Sequence, residues 1–230
     1  MDYDDKLKRQ RISALMREAA TLFSGKNPPD LDPALPKMHR AVRLAEELDD
    51  KRPLLICRAN LAQMNAVCGR AGDALNQIDR AINIATDDPH LPVAVRNFAF
   101  MKFLDIALLL RAENKRALIY ARALMQSAVE EEEDYNRFLL SVYELARVCH
   151  DLSKSPDWAL ALVSWLLDTA PHSHPVWQQA RRYSEKIVRG FPRDLSHAWQ
   201  SEIEANRDIL ISEASGEFLP FFAMDAPRPW

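Results

Sequence analysis

The chain has 230 residues, a formal net charge of -3 and 48% hydrophobic residues. That is enough apolar content to bury a continuous core and too much for a disordered chain. A pI near 6.1 excludes the globally basic surface that tracks nucleic acid or anionic lipid. The 5 glycines and 14 prolines, with most prolines between periodic segments, favour helices punctuated by turns over hairpins. No stretch approaches the ~20 uncharged apolar residues that span a bilayer, and the charged opening segment lacks a signal core. Cys57, Cys68 and Cys149 are an odd number, each inside a helical pattern. They read as free, buried thiols of a reducing compartment, so a cytoplasmic location is expected.

The first pair of predicted helices runs from about Asp4 to Phe23 and from Pro33 to Leu48. Ile12, Leu15, Met16, Ala19, Leu22 and Phe23 form the apolar stripe of the first. A turn-rich loop, Ser24 to Asp30, joins them, and Asp32 ahead of Pro33 reads as an N-cap. Pro53 opens the next pair, which is divided by Gly69-Arg70-Ala71-Gly72 and runs on to about Asp88. The third pair, Leu91 to Arg111 and Asn114 to Glu132, begins with a helix apolar nearly all round, expected at the centre of the fold. The fourth covers Asp134 to Leu152 and Pro156 to Thr169, capped by Ser153 or Ser155, with Trp158, Leu162, Trp165 and Leu166 as bulk. The fifth, His174 to Arg189 and Arg193 to Ser212, is highly charged and reads as a polar terminal cap. Glu213 to Trp230 breaks the pattern with three prolines and four aromatics, Phe218, Phe221, Phe222 and Trp230.

A repeat underlies these pairs. Ala34, Ala74, Ala117, Ala159 and Ala198 recur at intervals of 40, 43, 42 and 39 residues. Seven residues after each stands Ala41, Ala81, Leu124, Leu166 or Ala205, on the same helical face. Within the second pair, Leu61-Ala62, Gly69, Ala74, Ile78 and Ala81 follow the order in which a tetratricopeptide repeat (TPR) places its small and bulky residues. The segment resembles that family, though the intervals exceed its usual ~34 residues and imply helices about a turn longer. The resemblance implies an all-α, right-handed α-solenoid of about five TPR-like helix-turn-helix pairs over residues 1–212, followed by an aromatic, proline-rich tail over 213–230.

On that register, the first helix of each pair lines a concave groove. It offers Ala59, Asn60, Gln63 and Asn65-Ala66 from the second pair, and Phe98, Lys102 and Ile106 from the third. The fourth offers Ser141, Glu144 and Val148. Asn60, Gln63, Phe98, Lys102, Ser141 and Glu144 are the candidate partner-binding residues, because long polar side chains beside apolar ones suit a peptide or partner helix. The spaced Lys, Asn and Arg set with which some family members hold a terminal carboxylate is not matched, since Ala59, Phe103 and Ile106 occupy its positions. Phe218, Phe221, Phe222 and Trp230 are candidate docking residues of the tail, packing on the chain's own helices or on a second copy by self-association.

Catalytic chemistry is not expected. There is no Gly-x-Ser-x-Gly elbow or phosphate loop, and Cys149 and His150 point about 100° apart on a helix. His172, His174, Cys149 and His150 lack the spaced pairs of a zinc site, so no metal and no cofactor is expected. The run Glu130 to Asp134 reads as a solvated junction or a dock for a basic partner. The basic clusters at Lys6 to Arg11 and Arg181 to Arg189 are diluted by acids and lack a stacking platform. The expected function is a non-enzymatic adaptor or scaffold binding a protein or peptide segment in the groove. A regulatory sensor domain taking a small ligand or signalling peptide is the alternative, and nucleic acid is a distant third. No membrane partner is expected.

Overall fold

A computed structural model describes residues 3–24, 31–130, 135–190 and 196–216. These residues form eleven α-helices and one π-helical turn, with no strand among them. No described helix is long and apolar enough to cross a membrane. The chain divides into two compact units, Met1–Leu110 and Arg111–Trp230. The boundary falls between the two helices of the predicted third pair, so its members belong to different units. Arg111 and Glu113 at this boundary both hold positive φ, 52° and 61°.

The N-terminal unit contains α1 (Tyr3–Ser24), α2 (Leu31–Glu46), α3 (Lys51–Val67), α4 (Ala71–Asp87) and α5 (Val93–Leu110). Each helix packs on the one before it, and α3 packs also on α1 and α5. Small residues permit the close crossings: Ala34, Ala41, Ala62, Ala74 and Ala81 are all fully buried, which lets helix axes approach without a side chain between them. Around them Ile12, Leu15, Met38, Leu48, Leu61 and Met64 form a contiguous core. Asp50 caps α3 by accepting a hydrogen bond from the Arg52 N–H. At its other end, Gly69 sits at φ 73°, a conformation that L side chains rarely adopt. There the Arg70 N–H reaches the Asn65 carbonyl at 2.9 Å, closing the helix in the glycine-terminated manner its sequence predicts.

Two expectations fail in this unit. Helix α2 begins at Leu31, so Asp32 lies in the first turn rather than ahead of it as a cap. Helix α5 is not buried all round: Ala99, Phe103, Leu104, Ile106 and Ala107 are buried, but Leu109 is 53% exposed. A sequence apolar nearly all round shows that a helix can be buried; which faces are covered depends on its neighbours, here α3 and α4.

The C-terminal unit contains α6 (Asn114–Glu130), α7 (Tyr135–Arg147), α8 (Pro156–Thr169), α9 (Pro175–Arg189), α10 (Ser196–Ala205) and α11 (Arg207–Ser215). Its central element is α8, packed against α7, α9, α10 and α11. Ala159, Leu160, Ala161, Leu162, Val163, Trp165 and Leu166 on it are buried. Helix α7 continues into a π-helical turn, Val148–Leu152, a wider coil that the helical periodicity of the sequence does not show. Ser155 occupies the N-cap position of α8 but its hydroxyl makes no capping bond.

The predicted fifth pair takes a different form. Its second helix is broken into α10 and α11 at Asn206, whose side-chain amide donates to the Glu202 carbonyl at 2.9 Å. Such a back-bond competes with the helical ladder. Trp199 and Ile203 are buried, whereas Ala198 and Ala205 are exposed. The bulky neighbours take the inward face, so the alanine recurrence loses its packing role after Ala159. Helix α11 packs on α8 and runs three residues beyond the predicted boundary at Ser212. Arg122 on α6 donates to the Ala214 and Glu213 carbonyls, each at 2.8 Å. The Trp158 indole donates to the Glu213 carboxylate at 3.0 Å.

Candidate partner-binding cleft

In the N-terminal unit, α1 and α3 flank an elongated cleft floored by α2. On α1 the spacing of Met16, Ala20 and Phe23 puts all three on one face, with Arg17 beside them. Asn60, Gln63 and Met64 face them from α3, and Met38 rises from α2, bordering an open hollow of about 390 Å³. A second hollow of about 280 Å³ shares Met16 and extends past Ile12 and Ser13 to Arg9, Arg52 and Ile56. The two therefore form one surface along α1, and neither is enclosed.

Polar groups are held at defined points. Lys102 on α5 donates to the Gln63 side-chain oxygen at 2.6 Å, and its ammonium lies 5.6 Å from the Phe98 ring centre. Charge-assisted donation and the ring face together orient the lysine across α3. At the other end Asp50 accepts from Arg9 at 2.8 Å and from the Arg52 side chain at 2.9 Å. The Arg52 guanidinium holds the Asp50 carboxyl well below its ordinary range; partial burial opposes this, and the Arg52 N–H and Arg9 reinforce it.

Asn60, Gln63, Phe98 and Lys102 thus lie in one unit, the first two on the cleft and the last two joined to it through Gln63. Ser141 and Glu144 lie in the other unit and are buried, at 4% and 5% exposure. The Ser141 hydroxyl donates to the Phe138 carbonyl at 2.7 Å, and Glu144 accepts from Arg147 at 2.8 Å. Ala59, Asn65, Ala66, Ile106 and Val148 are core as well. Phe218, Phe221, Phe222 and Trp230 lie outside the described residues, as do Glu131 to Asp134. The cleft residues that the sequence reading did not select include Arg9, Met16, Arg17, Phe23, Met38 and Arg52. Met16 and Phe23 stand out only as core stripe, and the signal that marks the face is an exposed Arg17 inside that stripe.

A second polar cluster sits at the π-helical turn. Asp151 accepts from the Tyr183 hydroxyl at 2.8 Å and from Lys186 at 2.9 Å, and lies 2.9 Å from the His150 ring nitrogen. Burial works against the Asp151 charge, but the bonds from Lys186, Tyr183 and His150 outweigh it and lower its pKa. Burial and the bond to Asp151 raise that of Tyr183. Every carboxylate oxygen here is engaged, and the cluster ties the turn to α9. Burial also pushes the Cys149 thiol up to about 12, which leaves it protonated and a poor nucleophile at neutral pH. His174 caps α9 through its ring nitrogen, 3.2 Å from the Val176 N–H. Among the described residues no group of three or more His, Cys, Asp or Glu is placed to hold a metal ion.

No family model, curated protein or solved structure gives a match to this chain.

Proposed function

We propose that the chain is a non-enzymatic adaptor of TPR-like helical repeats, and that it holds a protein or peptide segment along the α1–α3 cleft. The observation that carries this reading is the cleft itself. It is a long open surface with Met38 at its floor and Met16, Phe23 and Met64 on its walls, where the Asn60 and Gln63 amides also stand. Thioether side chains adapt to different apolar anchors, and amides at the edge meet the hydrogen-bonding needs of a bound backbone. Among the described residues no hydrogen bond engages the Asn60 amide. The helix pairing of the N-terminal unit and its fully buried Ala34, Ala74 and Ala81 support the TPR-like assignment. Openness favours a polymeric ligand over the small ligand of a sensor, which needs most of its surface enclosed.

The test is capture from native extract by the full-length protein and by an Asn60→Ala, Lys102→Glu variant. The variant is expected to keep its melting curve and lose the captured partner. Equal capture by the two proteins would place the working surface elsewhere.

A further inference from the structure

We propose that the cleft is built for an acidic amphipathic segment, one whose internal Asp or Glu side chains flank apolar anchors. This rests on the adaptor reading above and adds the chemistry of the partner. Among the described residues the two hollows are lined by three arginines, Arg9, Arg17 and Arg52, and by no acidic residue. The whole chain carries -3, so the cleft is a local reversal of sign. Among the described residues Asp50 is the carboxylate that pairs with these cations, and Arg9 and Arg52 share it. The Nε of Arg9 is buried without a hydrogen-bond partner. Arg17 is exposed and has no carboxylate partner among the described residues. Lys102 rests on a neutral acceptor, Gln63. Opposite charges on a partner would be attracted to this surface and aligned along it.

Geometry sets the spacing of the partner's charges. Arg9 and Arg17 are two helical turns apart on α1, about 12 Å at 1.5 Å per residue. Carboxylates about eight residues apart on a helical partner, or about four apart on an extended one, match that span. Between them Ile12, Met16, Pro53 and Ile56 offer apolar surface, and beside Arg17 the methionines Met38 and Met64 accept apolar side chains without demanding one shape.

The experiment is a selection of random peptides of about 16 residues, long enough to run from Arg9 to Phe23 as a helix, on the immobilised full-length protein. Enriched peptides are then made with both ends capped, so that no terminal carboxylate contributes. Binding is measured by fluorescence anisotropy against wild type, Arg17→Glu and Ala20→Arg. Arg17 and Ala20 are both exposed, and a melting curve verifies that each variant folds. The expected result is enrichment of Asp or Glu around apolar anchors, with affinity falling about tenfold or more in Arg17→Glu. A Lys-for-Glu swap in the peptide should restore part of that loss, and added salt should weaken the wild-type complex. Peptides that are lost in Ala20→Arg yet show no acidic bias would overturn this inference and leave the adaptor reading intact. Peptides indifferent to Ala20→Arg, or no enrichment, would overturn both.

Discussion

Asp50 joins three features of the N-terminal unit, so its replacement tests the local account closely. Its side chain caps α3, bonds Arg52 and reaches Arg9 on α1. It is only 18% exposed, against 30% for Arg9, so solvent screening is partial. Asp50→Asn keeps a capping oxygen and removes the charge; Asp50→Ala removes both. Loss of the cap costs about 1 kcal/mol, and loss of the part-buried charged bond to Arg9 costs about 1–2 kcal/mol. Asn should therefore cost about 1–2 kcal/mol and Ala about 2–3. At roughly 2–4 °C per kcal/mol for a chain of this size, Ala should lower Tm by about 4–12 °C. Because the folded carboxyl is held below its ordinary pKa, its stabilisation is present above about pH 4 and lost as pH falls through the folded value. The gap between wild type and Asn should accordingly narrow under acid. Thermal melts across pH, with Arg9→Ala completing a double-mutant cycle, measure each part. Equal losses for Asn and Ala would remove the cap from the account. Strict additivity of Arg9→Ala and Asp50→Asn would remove the α1–α3 ion pair.

Three further outcomes follow from the packing. Arg122→Ala should free the end of α11 from α6, costing about 2 kcal/mol and raising amide exchange at Ile211 to Ser215; unchanged exchange would mean the two carbonyl bonds do not hold the helix. Lys154, at φ 56°, should accept glycine with a gain of up to about 1 kcal/mol, read as a raised Tm; a loss would show that no backbone strain is relieved there. Ala74→Leu should destabilise by about 1–3 kcal/mol because the site is fully buried, whereas Ala198→Leu should stay within about 0.5 kcal/mol. Comparable losses at both positions would restore the fifth repeat as a packed one.

Much of the helical order is legible because its punctuation is chemical. Gly69 supplies a left-handed backbone, Pro156 and Pro175 open helices, and apolar residues three and four apart mark the inner faces. The alanine recurrence identifies true crossings as far as Ala159. It misleads at Ala198, because spacing alone cannot reveal that Trp199 and Ile203 win the inward face. Helix α5 and helix α8 look alike as apolar runs, yet only α8 is surrounded by helices within its unit; neighbours, not composition, decide that. The register that nominated Asn60, Gln63, Phe98 and Lys102 reaches residues that meet. The same register chose Ser141 and Glu144, whose polar groups are satisfied inside the C-terminal unit. The π-helical turn shifts the face presented beyond Arg147, and no residue type announces it. The arginines lining the cleft come from α1 (Arg9 and Arg17) and from the start of α3 (Arg52), more than 30 residues apart in sequence, and their convergence belongs to tertiary packing.

The central claim is that a partner lies on the α1–α3 surface, and a photo-crosslinking amino acid placed at Ala20 in the full-length protein tests it most directly. Glu202 on α10, exposed and remote in sequence from the cleft, serves as the control position. Irradiation in cells expressing each protein should give a discrete adduct with a second protein at Ala20 and none at Glu202. Peptide mapping of that adduct should find an acidic, apolar segment. No adduct at Ala20, or the same adducts at both positions, would contradict the account.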